Sequence, residues 1–329
     1  MAKPKFSVCI PTYNRANSLK SAIESVLKQD FDDYEIVITD NASVDNTEEI
    51  VQSFSSPKIR YFRNKKNLGM VKNWNRVLEL AKGEYVAFLF DDDEYMPNHL
   101  KEAYRILSKY DNIGIYAAGN QKQPRPVIGF IEPKDYFRYT YKMENVSPPS
   151  ETIFKREFNN KQYFYNDRDY IYSPEVALYL EIANDGLKTY HSGLQTVIRN
   201  SRSSNFCRIP FSSRITLTWV FFQDEFRIID KYKNHKYIGK DRYLEVFNSH
   251  INQAFRSYLS GKMQNIGKPD EIFQGIEDVL KEDGFYFKYY QLYLMKIISD
   301  ILIKYHIINI SAARKLYYLV KRKKRSLTS

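Results

Sequence analysis

Cysteine and histidine are scarce in this 329-residue sequence. The two cysteines, Cys9 and Cys207, provide neither a disulfide framework nor a zinc-binding pattern, so we expect a reducing compartment. The five histidines are scattered and form no metal-binding cluster. These shortages argue against a disulfide-stapled secreted module and against a zinc protein.

Long hydrophobic runs are also missing. No stretch of 18 or more apolar residues is present, and a membrane-spanning helix needs about 20. The apolar part of the N-terminal segment MAKPKFSVCIPTYN is too short for a signal peptide. We therefore expect a cytoplasmic protein, with peripheral association at the inner face of the cell membrane as a further expectation.

Acidic residues are absent from one end of the chain. Eight of the net eleven positive charges lie in residues 301–329, which contain no Asp or Glu. A predicted helix at 312–323 has an apolar stripe and leads into the basic run 321–325, a combination that favours binding to an anionic membrane. A core-packing helix with an exposed basic tail is the alternative. Nucleic acid is not an expected partner, because no recognised nucleic-acid motif accompanies the basic run.

Strands and helices alternate over the first 90 residues. Short apolar runs at 6–10, 35–39, 59–62 and 85–90 predict strands, and helical spacing predicts helices at 19–27, 45–54 and 71–81. Asn17 or Ser18 is the expected N-cap of the first helix. This order predicts a parallel sheet with helices on both faces.

The fourth predicted strand ends on three consecutive carboxylates, Asp91, Asp92 and Asp93. Ligands of open α/β sheets bind beyond the carboxyl ends of the strands. Hard oxygen ligands suit Mg²⁺ or Mn²⁺. Neither glycine-rich phosphate-binding pattern occurs in the sequence, so a metal held here is the expected means of neutralising nucleotide phosphates. An exposed acidic turn is the alternative.

Three segments, SVCIPTYNRANSL, ITDNASVDNT and NLGMVKNWNRVLELAKGEYVAFLFDDDEYMPNHL, resemble family 2 glycosyltransferases of the GT-A fold. The resemblance covers about residues 5–110. It implies metal ligation of Mn²⁺ or Mg²⁺ by Asp92 and Asp93, and it implies nucleotide binding by a larger set: Pro11, Thr12, Tyr13, Asn14, Asp40, Asn67, Asn73 and Asp91. In this set Asp40 accepts from the uracil ring and Asp91 lies near the ribose. The sequence departs from the family pattern at Phe90, which replaces an Asp, and at 73–75, where an Arg is missing.

Residues 172–205 resemble the family's acceptor half, in which an acid at the start of a helix is the catalytic base. Glu175 falls on that position, although the family usually has Asp there. A first-turn acid favoured by the helix dipole is the alternative reading. Asp167, Asp169 and Asp185 are weaker candidates for the base. The proline-rich segment 119–170 is predicted to be irregular.

The predicted architecture is α/β: a GT-A domain at 1–215 with a Rossmann-like mixed sheet, followed by a helical region with a basic tail at 216–329. Residues 1–110 are the expected nucleotide-sugar half and 111–215 the acceptor half. The resemblance implies transfer, with inversion, from a UDP-sugar donor to a glycan or lipid-linked glycan acceptor of the cell surface. Two alternatives stay open: a GT-A-fold binding or scaffold protein without catalysis, and a nucleotidyltransferase. The sequence leaves the oligomeric state open, a homo-oligomer included.

Overall fold

A computed structural model describes residues 3–119, 128–142, 147–165 and 174–200. The predicted helical region at 216–329, with the basic segment 312–325, lies outside these residues. Asp167 and Asp169 also lie outside them.

The first half of the described chain alternates strands and helices as the sequence predicts. Its elements are β1 (Phe6–Thr12), α1 (Ala16–Leu27), β2 (Tyr34–Asp40), α2 (Thr47–Gln52), β3 (Ile59–Arg63), α3 (Met70–Leu80), β4 (Tyr85–Phe88), β5 (Asp93–Tyr95) and α4 (His99–Leu107).

The second half is more mixed. It contains β6 (Ile113–Gly119), β7 (Gly129–Ile131), α5 (Pro133–Lys142), a 3₁₀ turn (Pro149–Glu151), β8 (Thr152–Lys155), β9 (Glu157–Phe158), β10 (Lys161–Gln162), α6 (Pro174–Asn184), β11 (Lys188–Gln195) and β12 (Val197–Arg199).

The main sheet has eight strands in the order β3-β2-β1-β4-β8-β6-β11-β7. β1 lies between β2 and β4 and is parallel to both, with Thr12 opposite Asp40 and Cys9 opposite Phe88. β8 is antiparallel to its two neighbours, β4 and β6, so the sheet is mixed. Every residue of β1, β2 and β6 is buried, which means that both faces of the sheet are covered there.

Two sequence predictions about local structure are wrong. The first helix is not capped by Asn17 or Ser18, because it begins at Ala16 with Arg15 in the N-cap position. The segment 119–170 is not irregular where the structure describes it, since it supplies a helix and four strands. β8 even lies inside the main sheet. A strand of only four residues, TIFK, is too short to show a periodic pattern.

None of the helices among the described residues is long and apolar enough to cross a bilayer.

α1 packs against α2 and β5, and α3 packs against β1 and β2. α4 and α6 both pack against β6.

Gly83 lies where the turn before β4 presses against the start of β1. Its N–H donates to the Ser7 hydroxyl at 2.7 Å, and that hydroxyl donates to Glu35 Oε1 at 2.6 Å. A Cβ added at Gly83 would lie 2.4 Å from the Ser7 backbone nitrogen. This contact with backbone atoms is too close for any side chain, so the position requires glycine.

We predict that Gly83→Ala destabilises the protein by about 2 kcal/mol, in the range found for overpacked interiors. Urea unfolding followed by circular dichroism measures the change. Val44→Ala is the control, because Val44 is 88% exposed and its truncation should change the unfolding free energy by less than about 0.5 kcal/mol. Equal stability of Gly83→Ala and the wild type would contradict the observed packing.

Candidate functional site

The carboxyl ends of β1 and β4 meet at one point of the sheet edge. From β1 the chain continues to β2 and β3 on one side, and it then crosses to β4 on the other side. Such a reversal of strand order opens the crevice in which α/β sheets bind ligands. The Thr12 hydroxyl, at the end of β1, donates to Asp91 Oδ2 at 2.7 Å. This bond joins two residues that the sequence assigns to the nucleotide site.

An arginine contacts the acidic motif, which we define as Asp91, Asp92 and Asp93. Arg15 Nη1 lies 2.9 Å from Asp91 Oδ1 and 3.1 Å from Asp92 Oδ2. The Arg15 side chain is 27% exposed, whereas the side chains of Asp91 and Asp92 are 7% and 10% exposed. One guanidinium nitrogen therefore serves two largely buried carboxylates. Arg15 belongs to none of the site residues predicted from the sequence.

Burial sets the protonation behaviour of the motif. Removal from water raises the pKa of Asp91 to about 6, although the Arg15 charge and the Thr12 hydroxyl act in the opposite direction. Burial also raises the pKa of Asp93, against the lowering effect of a hydrogen bond from Ser150. The site therefore holds its carboxylate charges at an energetic cost.

Asp93 joins the motif to the end of the described chain. It begins β5, which pairs antiparallel with β12 so that Asp93 lies opposite Arg199. The Asn200 backbone N–H donates to Asp93 Oδ1 at 3.1 Å. Arg199 Nη1 also lies 3.8 Å from Oε1 of the buried Glu151. Two residues distant in sequence, Arg199 and Asn200, thus border the acidic motif.

Asp40, the predicted uracil acceptor, is fully buried at the end of β2. Its Oδ2 accepts from the Tyr61 hydroxyl at 2.6 Å and its Oδ1 accepts from the Ser43 N–H at 2.8 Å. Burial and the Asp40 carboxylate raise the pKa of Tyr61 above its usual value. Asp40 therefore organises its own loop in this structure, and its contact with a base stays a prediction.

The loops after β1 and β2 are tied to each other. Asn14 has a left-handed backbone with φ 54°, and its Oδ1 accepts from the Val44 N–H at 2.8 Å. The Asn14 N–H donates to the Ser43 hydroxyl at 2.9 Å. Tyr13, between these contacts and Thr12, is 44% exposed and free of the core. Pro11 is buried within β1.

Asparagine side chains hold the loop between β3 and α3. Asn73 Nδ2 donates to the Thr39 carbonyl at 3.1 Å, and its Oδ1 accepts from Asn64 at 2.8 Å. Asn67 is exposed, and its Oδ1 accepts from Asn41 Nδ2 at 2.8 Å. The buried Asn73 is a brace between α3 and β2 here, while Asn67 lies at the surface. Nucleotide binding by either residue stays a prediction.

Glu175, the predicted base, is partly buried in the first turn of α6. Burial, with the Glu175 charge as a lesser cause, raises the pKa of Tyr165 and Tyr179. The Tyr165 ring centroid lies 5.6 Å from that of Phe88, the last residue of β4. Tyr165 thus lies against the strand that leads into the acidic motif, and the Glu175 charge acts on it.

Asp185 has a different place. It follows the other end of the eleven-residue helix α6, roughly 15 Å away along the helix axis. Its Oδ2 accepts from Lys161 Nζ at 2.7 Å and from the Tyr163 hydroxyl at 2.8 Å. Asp185 is therefore bonded to residues that precede α6, and it lies at the opposite end of this helix from Glu175.

Comparison with known families identifies this arrangement. The sequence profile described as Glycosyl transferase family 2 matches residues 7–170. The chain belongs to this family. The match includes β1, β2 and β4 and therefore Thr12, Asp40 and the acidic motif.

Curated relatives of this family 2 chain are similar over part of its length. A protein of Campylobacter jejuni named GalNAc(5)-diNAcBac-PP-undecaprenol beta-1,3-glucosyltransferase is 30% identical over 187 residues, which are 54% of this chain and 60% of that protein. An Escherichia coli protein named as a colanic acid biosynthesis glycosyl transferase, WcaA, is 37% identical over 99 residues, 30% of this chain and 36% of its own. The chain thus spans less than two thirds of the length of each.

Solved structures share the fold of the family 2 chain. TarS of S. aureus (residues 1–349, in complex with UDP-GlcNAc) has a TM-score of 0.65 at 18% identity, covering 84% of this chain and 81% of TarS. A mannosyltransferase of Pyrobaculum calidifontis in complex with GDP-Man and Mn²⁺ has a TM-score of 0.54 at 15% identity, covering 93% and 88%. These likenesses confirm the predicted GT-A fold.

We predict that Asp91→Asn gains stability relative to the wild type as pH rises. The folded pKa of about 6 lies above 3.8, the ordinary pKa of an aspartate, so the folded state binds more protons between those values. The contribution of Asp91 to stability is therefore complete below about pH 4 and is lost as pH rises through about 6. The variant's advantage should grow by about 2 kcal/mol between pH 4 and pH 7.5.

Thermal unfolding of both proteins in the presence of a chelator, at half-unit pH steps, measures this difference. Asp32→Asn is the matched control, because the Asp32 side chain is fully exposed. A pH-independent difference between Asp91→Asn and wild type would contradict the burial of an ionised Asp91.

Proposed function

We propose that the protein is an inverting glycosyltransferase that moves a sugar from a UDP-sugar to a hydroxyl group of a surface-glycan acceptor. The observation that carries the proposal is the bond between Thr12 and Asp91 across the switch point of a family 2 domain, with a cationic group beside the acidic motif. The alternatives are a GT-A-fold binding protein without catalysis and a nucleotidyltransferase. Neither has an observation of its own in its favour.

The donor part of the proposal rests on the loops at the ends of β1 and β2. Tyr13 offers an exposed ring beside the edge of the sheet, and the buried carboxylate of Asp40, at the end of the neighbouring strand, is the proposed acceptor for the base. The TarS complexes with UDP and with UDP-GlcNAc support a uridine nucleotide as the donor carrier on this fold. Asp91, next to Thr12, is the proposed contact to the ribose.

The residues of the acidic motif fit a divalent cation. No group of three or more Asp, Glu, His or Cys side chains suited to a metal ion occurs among the described residues. Mg²⁺ and similar ions usually take one or two carboxylates and complete their shell with phosphate oxygens and water. The contacts of one Arg15 nitrogen with both Asp91 and Asp92 support this proposal, because they bring a positive charge to Asp92, the member of the motif that both assignments share. We assign the metal contacts to Asp92 and Asp93. When bound, the metal would neutralise charge on the departing diphosphate.

Glu175 is the proposed general base. Its carboxylate accepts the proton of the acceptor hydroxyl while the hydroxyl oxygen bonds to the anomeric carbon of the donor sugar. The bond from this carbon to the UDP oxygen breaks, and its electron pair leaves with UDP. Attack from the side opposite the leaving group inverts the configuration at the anomeric carbon.

The acceptor class is proposed from the relatives. The name of the C. jejuni protein specifies a glycan carried on undecaprenyl diphosphate, and the E. coli protein is named for colanic acid biosynthesis. Both names describe the assembly of extended glycans. We therefore propose a glycan or lipid-linked glycan acceptor, for which peripheral membrane association through residues 312–325 stays a prediction.

A thermal-shift screen of nucleotide sugars tests the donor. A ligand that binds the folded state raises the unfolding temperature, so a UDP-sugar with Mn²⁺ should raise it more than Mn²⁺ alone. At 100 times its dissociation constant a ligand adds about 2.7 kcal/mol. GDP- and CMP-sugars are the controls. The absence of a shift with every nucleotide sugar would refute the transferase proposal.

Two substitutions separate binding from chemistry. Asp92→Asn should weaken metal-dependent UDP binding and turnover together, because it removes a charge that holds the cation. Glu175→Gln should keep UDP-sugar affinity and lower kcat by ~10²–10⁴-fold, the usual contribution of a general base. Calorimetry with UDP and a UDP-release assay measure the two quantities.

Glu181→Gln is the matched control for the base, since Glu181 lies on the same helix and pairs with Lys161. It should retain wild-type kcat. If Glu175→Gln keeps more than about a third of wild-type kcat, Glu175 is not the base, and Asp167 or Asp169 takes its place as the candidate.

A further inference from the structure

Arg15 breaks a local rule of helix formation. It occupies the N-cap of α1, where a short polar side chain normally accepts a hydrogen bond from the first turn. Its own side chain makes no capping bond, and its positive charge stands at the positive end of the helix dipole. Asp45 Oδ2, from the loop after β2, accepts the Ala16 N–H at 3.0 Å instead. A residue that is unfavourable for its own helix points to a role elsewhere.

That role lies at the acidic motif. The same Arg15 nitrogen contacts Asp91 at 2.9 Å and Asp92 at 3.1 Å, so the guanidinium occupies the space where their carboxylates converge. A metal ion that binds Asp92 meets the Arg15 guanidinium there, because Arg15 already contacts Oδ2, one of the two oxygens of this carboxylate. Two cations cannot both sit at hydrogen-bonding or ligand distance from this oxygen without repelling each other.

We propose that Arg15 is a resident counter-cation of the acidic motif that makes metal binding depend on the nucleotide, an inference that rests on the proposed function of this site. In the protein alone, Arg15 competes with a divalent cation for Asp92. In the presence of a nucleotide diphosphate, Arg15 turns from Asp92 to the phosphate oxygens, which its planar fork fits well. Arg15 can turn because 27% of its side chain is exposed and its stem is long.

The charge balance explains the direction of this coupling. Asp91, Asp92 and Asp93 carry up to three negative charges when ionised, and Arg15 offsets one of them inside a poorly solvated site. A metal ion alone would bring a second cation to carboxylates that already have one. A diphosphate supplies new negative charge and gives both cations a partner. Metal alone should therefore bind weakly, and metal with UDP should bind tightly.

Mn²⁺ titration of the full chain, by calorimetry or by electron paramagnetic resonance of free Mn²⁺, tests the proposal without any turnover. Arg15→Gln should bind Mn²⁺ alone roughly tenfold more tightly than wild type, the low end of the effect of one charge within ~4–6 Å of a carboxylate. The factor by which saturating UDP tightens Mn²⁺ binding should fall at least about fivefold in the variant, since Arg15 no longer links the two ligands.

The controls separate this competition from a general charge effect. Arg105→Gln removes the same charge from an exposed pair with Glu102 on α4 and should leave both quantities unchanged. Arg15→Lys keeps the charge and should bind Mn²⁺ alone like wild type. Arg15→Met, neutral and of similar length, gives the same test if the glutamine variant does not fold.

The proposal is overturned if the neutral variants bind Mn²⁺ alone no more tightly than wild type. It is also overturned if Arg15→Lys binds Mn²⁺ alone as tightly as the neutral variants do. Absence of Mn²⁺ binding by wild type and variants alike overturns it too. Failure of the proposed function gives a different result. In that case no nucleotide sugar binds, while Arg15→Gln still binds Mn²⁺ alone more tightly than wild type does. If instead wild type uses a UDP-sugar and Arg15→Gln leaves Mn²⁺ affinity unchanged, only the role of Arg15 is refuted.

Discussion

Three like charges at the buried end of β4 are the constraint around which the site is organised. Asp91, Asp92 and Asp93 are each no more than 9% exposed, so water screens them poorly. The surroundings supply partners from several elements: the Thr12 hydroxyl at the end of β1, the guanidinium of Arg15 before α1, and the Asn200 N–H after β12. An elevated pKa at Asp91 shows that these partners do not fully offset the burial. A site whose negative charge is incompletely compensated is suited to binding further positive charge.

The loops beside this motif are held by hydrogen bonds rather than by apolar packing. Asn14, Asn41 and Asn73 connect the turns after β1, β2 and β3 to one another. Asp40 fixes its own turn through the Ser43 N–H and the Tyr61 hydroxyl. Such a polar network positions backbone and side chains before any ligand arrives, which lowers the ordering cost of binding.

The second half of the described chain reaches the acidic motif through pairing of distant segments. β5 follows the motif directly, and its antiparallel partner β12 brings Arg199 opposite Asp93. Glu151, which precedes β8, meets the same arginine at 3.8 Å. The two halves of the described domain therefore share one boundary, and a change in charge at Asp93 acts on residues from both.

The sequence alone determined the alternating order of the first four strands, the sheet edge at which the candidate site residues meet, and the family. These features depend on local signals: apolar runs of strand length, helical spacing and polar residues directly after each strand. The placement of the candidate residues Thr12, Asp40 and Asp91 also follows from local signals, because the ends of neighbouring parallel strands must share one edge. The contacts of Asp40 and Asn73 within their own loops were not visible at that level.

Only the tertiary structure decided the rest. β8 is four residues long and joins the sheet by pairing with β4 and β6. No local sequence pattern predicts this pairing. In the sequence, Arg15 is one of several polar residues near a helix start. Its ion pair with the acidic motif exists only because the fold brings Asp91, 76 residues later in the chain, within 2.9 Å. Asp45 could replace it as the cap because two loops meet in space. Long-range pairing and charge neutralisation depend on which segments come together, and this is a property of the folded chain rather than of any window of its sequence.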